Sequence, residues 1–388
     1  MASHRLRVAQ VLEATVGGTA RHVLDLCEGL DRAAFELLVL WSPTRDAHPE
    51  RSVARLKAAG AQVALVPMAR GPVPPADLAA LRTVRRTLQG FAPDIVHAHS
   101  SKAGVLGRVA AAGNPNSPAT VYTPHAFSFV MNVSPARRAL YLAVERRLGR
   151  STDRLIAVCE SERQVALAAG VIAPERCVVV RNGVPPPVPT AAGPAANTAI
   201  PELPPAATVI LCVGDLRAQK GHVYAAAAIR QVARSLPAAH LLIAGEGPRS
   251  AAIREAAGEA AGHVHLLGHR DDIPQLLARC DVFCQPSLWE GCPYALLEAA
   301  AAGRALVGSD VPGVSDILQG GRCGWPVRPA DEKALAAALC QALRDPAARA
   351  ARGRAAAALV AEQYTLGGMV ARTAELYAEL GEARRGLS

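Results

Sequence analysis

Two doubly wound α/β domains in tandem, each on a parallel sheet covered by helices on both faces, are what this sequence predicts. Three observations lead there. The chain has 388 residues, too many for one compact core and the right number for two domains of ordinary size. Short β-branched and Leu-rich runs alternate with longer Ala/Leu/Arg segments of helical period, which marks βαβ units. One Pro/Ala-rich stretch, residues 185–206, interrupts the alternation near the middle of the chain, and the pattern then restarts.

In the first domain, 1–184, the strand runs are Leu6–Leu12, Glu36–Trp41, Gln62–Val66, Asp94–Ala98, Thr120–Thr123, Arg154–Val158 and Cys177–Val180. The stretch 185–206 has few groups able to build a core and reads as an interdomain linker. In the second domain, 207–365, the runs are Thr208–Val213, His240–Ala244, His263–Leu267, Asp281–Gln285 and Ala305–Gly308. After Asp331 the Ala-rich chain reads as continuous helix. Its last part, 366–388, is expected to cross back to the first domain.

Composition narrows the class. Half the residues are apolar and 19% are charged, a globular balance that excludes collagen-like, disordered and coiled-coil chains. No apolar run approaches the roughly 18 residues that cross a bilayer, and Glu13 falls where a signal peptide needs its apolar stretch. The nine cysteines are scattered without a C-x2-C pair. They read as small buried hydrophobes of a reducing cytoplasm.

The net charge of +9 is concentrated in the first half. Residues 51–150 hold 14 basic against 3 acidic groups, whereas residues 186–388 hold 19 of each. Such a patch suits a phosphorylated substrate or anionic lipid. Nucleic acid is disfavoured, because aromatic residues are only 4% and no nucleic-acid module is present.

Ligands of doubly wound sheets bind beyond the carboxyl ends of the strands, so residues there are the candidates. Gly17 and Gly18 follow the first strand and precede a helix, where backbone can approach a phosphate or sugar closely. A glycine pair alone is equally a tight turn. G-x-G-x-x-G is absent and the second strand ends in Trp41-Ser42-Pro43 without a ribose-binding carboxylate, so NAD is disfavoured. His97, His99 and His125 stand at strand ends, able to donate to hydroxyls or phosphate oxygens. His97 and His99 share a strand face and suit the core or the acceptor side; His125 is the stronger functional candidate. No zinc site is expected from any of the histidines.

In the second domain, Gly214-Asp215-Leu216-Arg217-Ala218-Gln219-Lys220-Gly221 closes a strand and opens a helix. Fixed positive charge at that turn can clamp a diphosphate. Glu290-Gly291-Cys292-Pro293 then leads into a helix carrying Glu298. Two carboxylates there can accept ribose or hexose hydroxyls while amides between them face a phosphate.

With these residues in place, the whole chain resembles glycosyltransferase family 4, of the GT-B fold. The likeness is closest to bacterial exopolysaccharide and lipopolysaccharide enzymes. The marks are Glu13-Ala14-Thr15-Val16-Gly17-Gly18, His97-Ala98-His99-Ser100-Ser101-Lys102, Tyr122-Thr123-Pro124-His125, Arg181-Asn182-Gly183, Gly245-Glu246-Gly247-Pro248, Gly268-His269-Arg270-Asp271-Asp272 and the E-x7-E pair Glu290 and Glu298. The resemblance implies two Rossmann-like domains facing a cleft. It gives Glu298 the nucleotide ribose, Glu290 the transferred sugar, and Gly291, Cys292 and Pro293 the sugar and diphosphate. Lys220 is implied at the diphosphate, Arg270 and Asp272 beside the base, Gly17 and Gly18 at the phosphate and acceptor, and His125 near the reacting sugar. Many relatives carry Arg where this chain has Asp215, and Arg217 is expected to replace that charge.

The resulting expectation is a retaining, metal-independent transfer from a nucleotide sugar, UDP-linked, to a lipid-linked or glycan acceptor, at the inner face of the plasma membrane. No cofactor is expected, and no Asp-x-Asp offers a metal site. The alternatives are a sugar-nucleotide 2-epimerase and an inactive, binding-only relative, the latter favoured by Asp215. Two basic segments, Leu81–Leu88 and Arg137–Leu148, are expected to dock on anionic membrane. In the second, Leu140 and Val144, with Arg138, Tyr141, Glu145 and Leu148 around them, form an apolar stripe flanked by Arg.

Overall fold

The structure is a computed structural model and describes residues 5–187, 203–204 and 206–385. Most of the expected linker, together with residues 1–4 and 386–388, lies outside the described residues. The chain divides into two compact units: Met1–Asn182 with Leu366–Ser388, and Gly183–Thr365.

The first unit is built on seven parallel strands, β1 (Leu6–Leu12), β2 (Phe35–Trp41), β3 (Gln62–Leu65), β4 (Ile95–His99), β5 (Ala119–Thr123), β6 (Arg154–Ala157) and β7 (Cys177–Val179). Their order across the sheet is β3-β2-β1-β4-β5-β6-β7. Every residue of β4 and β5 is buried. Helices cover both sheet faces, so both strands are buried along their whole length although His97, His99 and Thr123 are polar. The chain winds one way from β1 to β3 and the other way from β4 to β7, so the direction reverses between β1 and β4. In sheets of this kind ligands bind beyond the strand ends at such a reversal.

The last helix, Leu366–Arg385, belongs to this unit. Met369, Leu376, Tyr377 and Leu380 join a core cluster with Leu6, Val23, Leu26 and Phe35. Polar groups line part of the same interface, because Tyr377 is fully buried against Gln10 and His97.

The second unit has β8 (Thr208–Val213), β9 (Ala239–Ala244), β10 (Val264–Gly268), β11 (Val282–Gln285), β12 (Ala305–Ser309) and β13 (Gly324–Val327), in the parallel order β10-β9-β8-β11-β12-β13. Its reversal falls between β8 and β11. The sequence runs did not indicate β13, a four-residue edge strand whose exposed Pro326 lacks a ladder N–H. Nor is the Ala-rich tail one helix. It forms Glu332–Arg344, Pro346–Gln363 and Leu366–Arg385. The first break is at Asp345, whose carboxylate accepts from Ala348 N at 2.8 Å, with Pro346 at the first helical position. At the second break, Thr365 bridges to the backbone of Val184. All nine cysteines are buried.

Candidate active site

In the second unit, strand order brings the predicted residues together. Glu290 follows β11, Lys220 follows β8, and these two strands flank the reversal. Lys220 Nζ lies 2.7 Å from Glu290 Oε1. Ser287 Oγ donates to the same oxygen at 2.8 Å and Gln285 Nε2 at 3.3 Å. Gln219 Nε2 reaches Glu290 Oε2 at 3.5 Å. Glu290 is buried, so this ring of donors offsets the lost hydration of its carboxylate.

Arg217 is placed differently. Its guanidinium lies 3.5 Å from the Asp215 carboxylate, with both side chains well exposed. The charge expected to replace the missing Arg is therefore shared with the residue that displaced it. Arg270 forms a two-pronged pair with Asp272, at 2.7 and 2.6 Å, on the loop after β10. That pairing holds the Asp272 carboxyl below its ordinary value. His222, the first residue of its helix, is a site residue that the sequence pattern did not single out. It is buried, its Nδ1 has no hydrogen-bond partner among the described residues, and burial with nearby Lys220 pushes its pKa down to about 3.

Backbone contacts tie these loops into one surface. Gly214 N donates to Ala244 O at 2.9 Å and Gly245 N to Gly268 O at 2.7 Å, linking the loops after β8, β9 and β10. A Cβ on Gly245 would stand 2.1 Å from Gly214 O, so only glycine fits. Gly313 plays the same part under the Glu290 loop. Its φ is +79° and a Cβ there would stand 1.7 Å from Gly291 O. Gly291, Cys292 and Pro293 are buried as they enter the helix Tyr294–Ala301, which carries the half-buried Glu298.

In the first unit the strand ends at the reversal hold a histidine cluster. Gly17, at φ +58°, opens the helix Gly17–Gly29 with Gly18 next to it, and nothing lies within 4 Å of a Cβ built on Gly17. His22 from that helix joins His97 and His99 of β4 and His125 after β5. His125 and Ala126 have φ of +52° and +82°, two successive non-glycine residues in the left-handed region. Such strain persists only where the surroundings enforce it. Here Ala126 N is held at 2.6 Å by Glu162 Oε1, whose other oxygen accepts from Val158 N.

His97 and His99 are fully buried. His97 commits both ring nitrogens internally, Nδ1 to Tyr377 Oη at 2.6 Å and Nε2 to Thr123 Oγ1 at 2.8 Å. His99 bonds Gln10 Oε1 at 2.8 Å and His125 Nε2 at 3.1 Å. Burial lowers all four pKa values, His22 to about 4 and His97, His99 and His125 well below the usual range. His22, His99 and His125 each bring a nitrogen within 4.8 Å of the others. A tetrahedral zinc with bonds of about 2.1 Å would hold its nitrogens about 3.4 Å apart. A spread of up to 4.8 Å is loose for one ion, and the His99–His125 pair is already at hydrogen-bond distance.

Glu13, at the end of β1, is buried, and Arg45 Nη1 lies 3.4 Å from it. Burial raises its carboxyl pKa, partly opposed by that guanidinium. His22, Gln10 and Tyr377 escaped sequence reasoning because their sequence neighbourhoods carry no motif. They reach the cluster from a helix, a strand interior and the far end of the chain.

Two such sheets, with their polar groups gathered at the reversal points, define a GT-B type glycosyltransferase. The sequence profile described as "Glycosyltransferase Family 4" matches residues 16–186, and that of "Glycosyl transferases group 1" matches 207–345. The chain belongs to this glycosyltransferase family. It is 30% identical, over 86% of its length and 83% of the relative's, to phosphatidyl-myo-inositol mannosyltransferase of Mycolicibacterium smegmatis. It is 32% identical to UDP-Gal:alpha-D-GlcNAc-diphosphoundecaprenol alpha-1,3-galactosyltransferase of Escherichia coli, over 61% of this chain and 63% of that enzyme. Among solved structures, Anabaena HepE in complex with UDP and glucose superposes with a TM-score of 0.77 at 19% identity, covering 97% of this chain and all of HepE.

Proposed function

We propose that the chain transfers a hexosyl residue, with retention of anomeric configuration and without a divalent metal, from a UDP-sugar to a lipid-linked or glycan acceptor. The observation that carries this reading is the Lys220–Glu290 pair at the reversal point of the second sheet. A transferase that binds the diphosphate through a metal needs carboxylates presented to the ion. Here the buried carboxylate is matched with a lysine, which supplies positive charge to the leaving diphosphate, while Glu290 faces the sugar. Glu298 accepts the ribose hydroxyls, and the backbone N–H groups at Gly17-Gly18 and at Gly291 and Cys292 offer donors to phosphate. Arg270 and Asp272 border the base, and His125 stands beside the reacting sugar. The donor and acceptor in the name of the Escherichia coli relative and the UDP held by HepE support the UDP and lipid-diphosphate parts of the reading.

Docking on the inner face of the membrane brings such an acceptor within reach, and the basic helix Pro135–Gly149 supports it. Incubation of single nucleotide sugars with a lipid-diphosphate-linked sugar acceptor, scoring free nucleotide, glycosylated acceptor, free sugar and epimer separately, tests the reaction. Nucleotide release and product of retained configuration, unaffected by a chelator, are expected. Epimer without transfer, or activity lost to chelation and restored by Mg²⁺ or Mn²⁺, overturns it. The binding-only alternative rests on the Asp215–Arg217 pair, and absence of all turnover with intact UDP binding would select it.

A further inference from the structure

We infer that Tyr377, on the last helix, is a positioning residue that sets the tautomer of His125 through Gln10 and His99. The inference rests on the assignment of His125 to the reacting sugar, and the hydrogen bonds dictate the rest.

Gln10 gives the chain its direction. Its Nε2 donates to Tyr377 Oη at 2.9 Å, and its Oε1, which can only accept, lies 2.8 Å from His99 Nε2. His99 Nε2 therefore carries the proton. Burial keeps His99 neutral, so its Nδ1 is a bare lone pair. His125 Nε2, 3.1 Å from that lone pair, must be the donor. A neutral His125 protonated at Nε2 has its own lone pair at Nδ1. In this state it accepts a hydrogen bond or a proton through Nδ1 and donates through Nε2 only to His99.

Tyr377 anchors the direction at the other end. Having accepted from Gln10, its hydroxyl gives its proton to His97 Nδ1 at 2.6 Å, and His97 Nε2 then donates to Thr123 Oγ1 at 2.8 Å. Each hydrogen bond along this path then joins one donor to one acceptor. Turning the Gln10 amide over would require the tautomers of His97, His99 and His125 and the two hydroxyls to reverse together, so the orientation of one amide fixes the proton on His125. Gln10, His97, His99 and Tyr377 are all buried, so water does not complete the set in their place. A residue 252 positions after His125 in the chain thus acts on its ring, because the last helix packs on the face of the sheet that carries Gln10 and His97.

The test is ¹⁵N NMR of histidine-labelled protein at neutral pH, with the His125 signals assigned by their loss in His125→Asn. The wild type is expected to show His125 protonated at Nε2 and bare at Nδ1. Tyr377→Phe keeps the ring and removes the hydroxyl. It should convert His125 to a mixture of tautomers and lower kcat roughly tenfold or more, the scale reached when outer partners of a functional imidazole are lost. KM for the nucleotide sugar should stay within about twofold. Leu380→Ala, a core truncation on the same helix, should lower the melting temperature and leave the tautomer unchanged. A wild-type His125 protonated at Nδ1, or a Tyr377→Phe protein with an unaltered tautomer, overturns the inference. If no nucleotide sugar is turned over, the proposed function fails while the NMR comparison still decides this point.

Discussion

Lys220 and Glu290 are coupled in stability as well as in chemistry. With Lys220 removed, Glu290 keeps a buried carboxylate without its counter-charge, which costs about 3 kcal/mol of folded stability. In the role proposed for Lys220, removing the charge that faces the leaving diphosphate costs on the order of a hundredfold in rate. The two effects separate in a double variant. Lys220→Ala should lower both the melting temperature and kcat. Adding Glu290→Gln should recover most of the melting temperature and none of the turnover. Recovery of turnover in the double variant would mean that Lys220 serves only to neutralise Glu290. The closeness of Glu290 and Lys220 could be read from the sequence because each follows its strand within a few residues, where spacing along the chain fixes spacing in space. The bonding of Tyr377 could not, since nothing local distinguishes a tyrosine in an amphipathic helix that packs from one that also bonds. The pairing of Arg217 with Asp215 was equally hidden, because it depends on rotamers at an exposed turn.

The helix Pro135–Gly149 shows what a helical pattern reveals and what it conceals. Its charge was plain in the sequence, but its outward face was not the one expected. Glu145 points inward, bonded by Arg108 Nη2 at 2.8 Å and by Tyr122 Oη at 2.9 Å, and Tyr141 and Leu148 are partly buried. The exposed face instead carries Arg137, Leu140, Ala143 and Arg147, with Leu140 56% exposed. An inward ion pair and an outward Arg-Leu-Arg face fit docking on an anionic surface, to which each Arg adds about 1 kcal/mol. Reversing Arg137, Arg138 and Arg147 to Glu should abolish co-sedimentation with phosphatidylserine vesicles at low salt and leave UDP binding unchanged. Arg146 is best left alone, as its Nε donates to Ala169 O at 2.7 Å and its loss would disturb the fold. A wild-type chain that ignores the vesicles would rule docking out. Elements with a strong period were read within one or two residues of their ends. The edge strand β13 was missed because tertiary contacts, not local preference, create it, whereas the helix break at Asp345 was overlooked although the Asp345 cap and Pro346 mark it locally.

At the scale of the whole molecule, the two units should respond differently to acid. His22, His97, His99 and His125 are all held neutral in the first unit by burial, His22 with a pKa near 4 in place of 6.5. In the second unit only His222 is as strongly lowered, to about 3; His240 and His265 are lowered less and are less buried. A histidine whose folded pKa is depressed binds fewer protons folded than unfolded, so its contribution is complete above about pH 6.5 and is lost as pH falls toward the folded value. Each such group tilts stability by up to about 1.4 kcal/mol per pH unit within that window. Four such groups in one unit against one in the other make the first unit the steeper. Between pH 6.5 and 4, the amides of β1, β4 and β5 should therefore lose hydrogen-exchange protection well before those of β8, β9 and β11. The decline should also begin near pH 6.5, above the range where carboxylates protonate. Replacing His22 with Asn should shift that decline to lower pH, since one fewer proton is taken up on unfolding. Equal loss of protection in both sheets, or loss confined to pH below 4.5, would show that the imidazoles do not govern the acid limit.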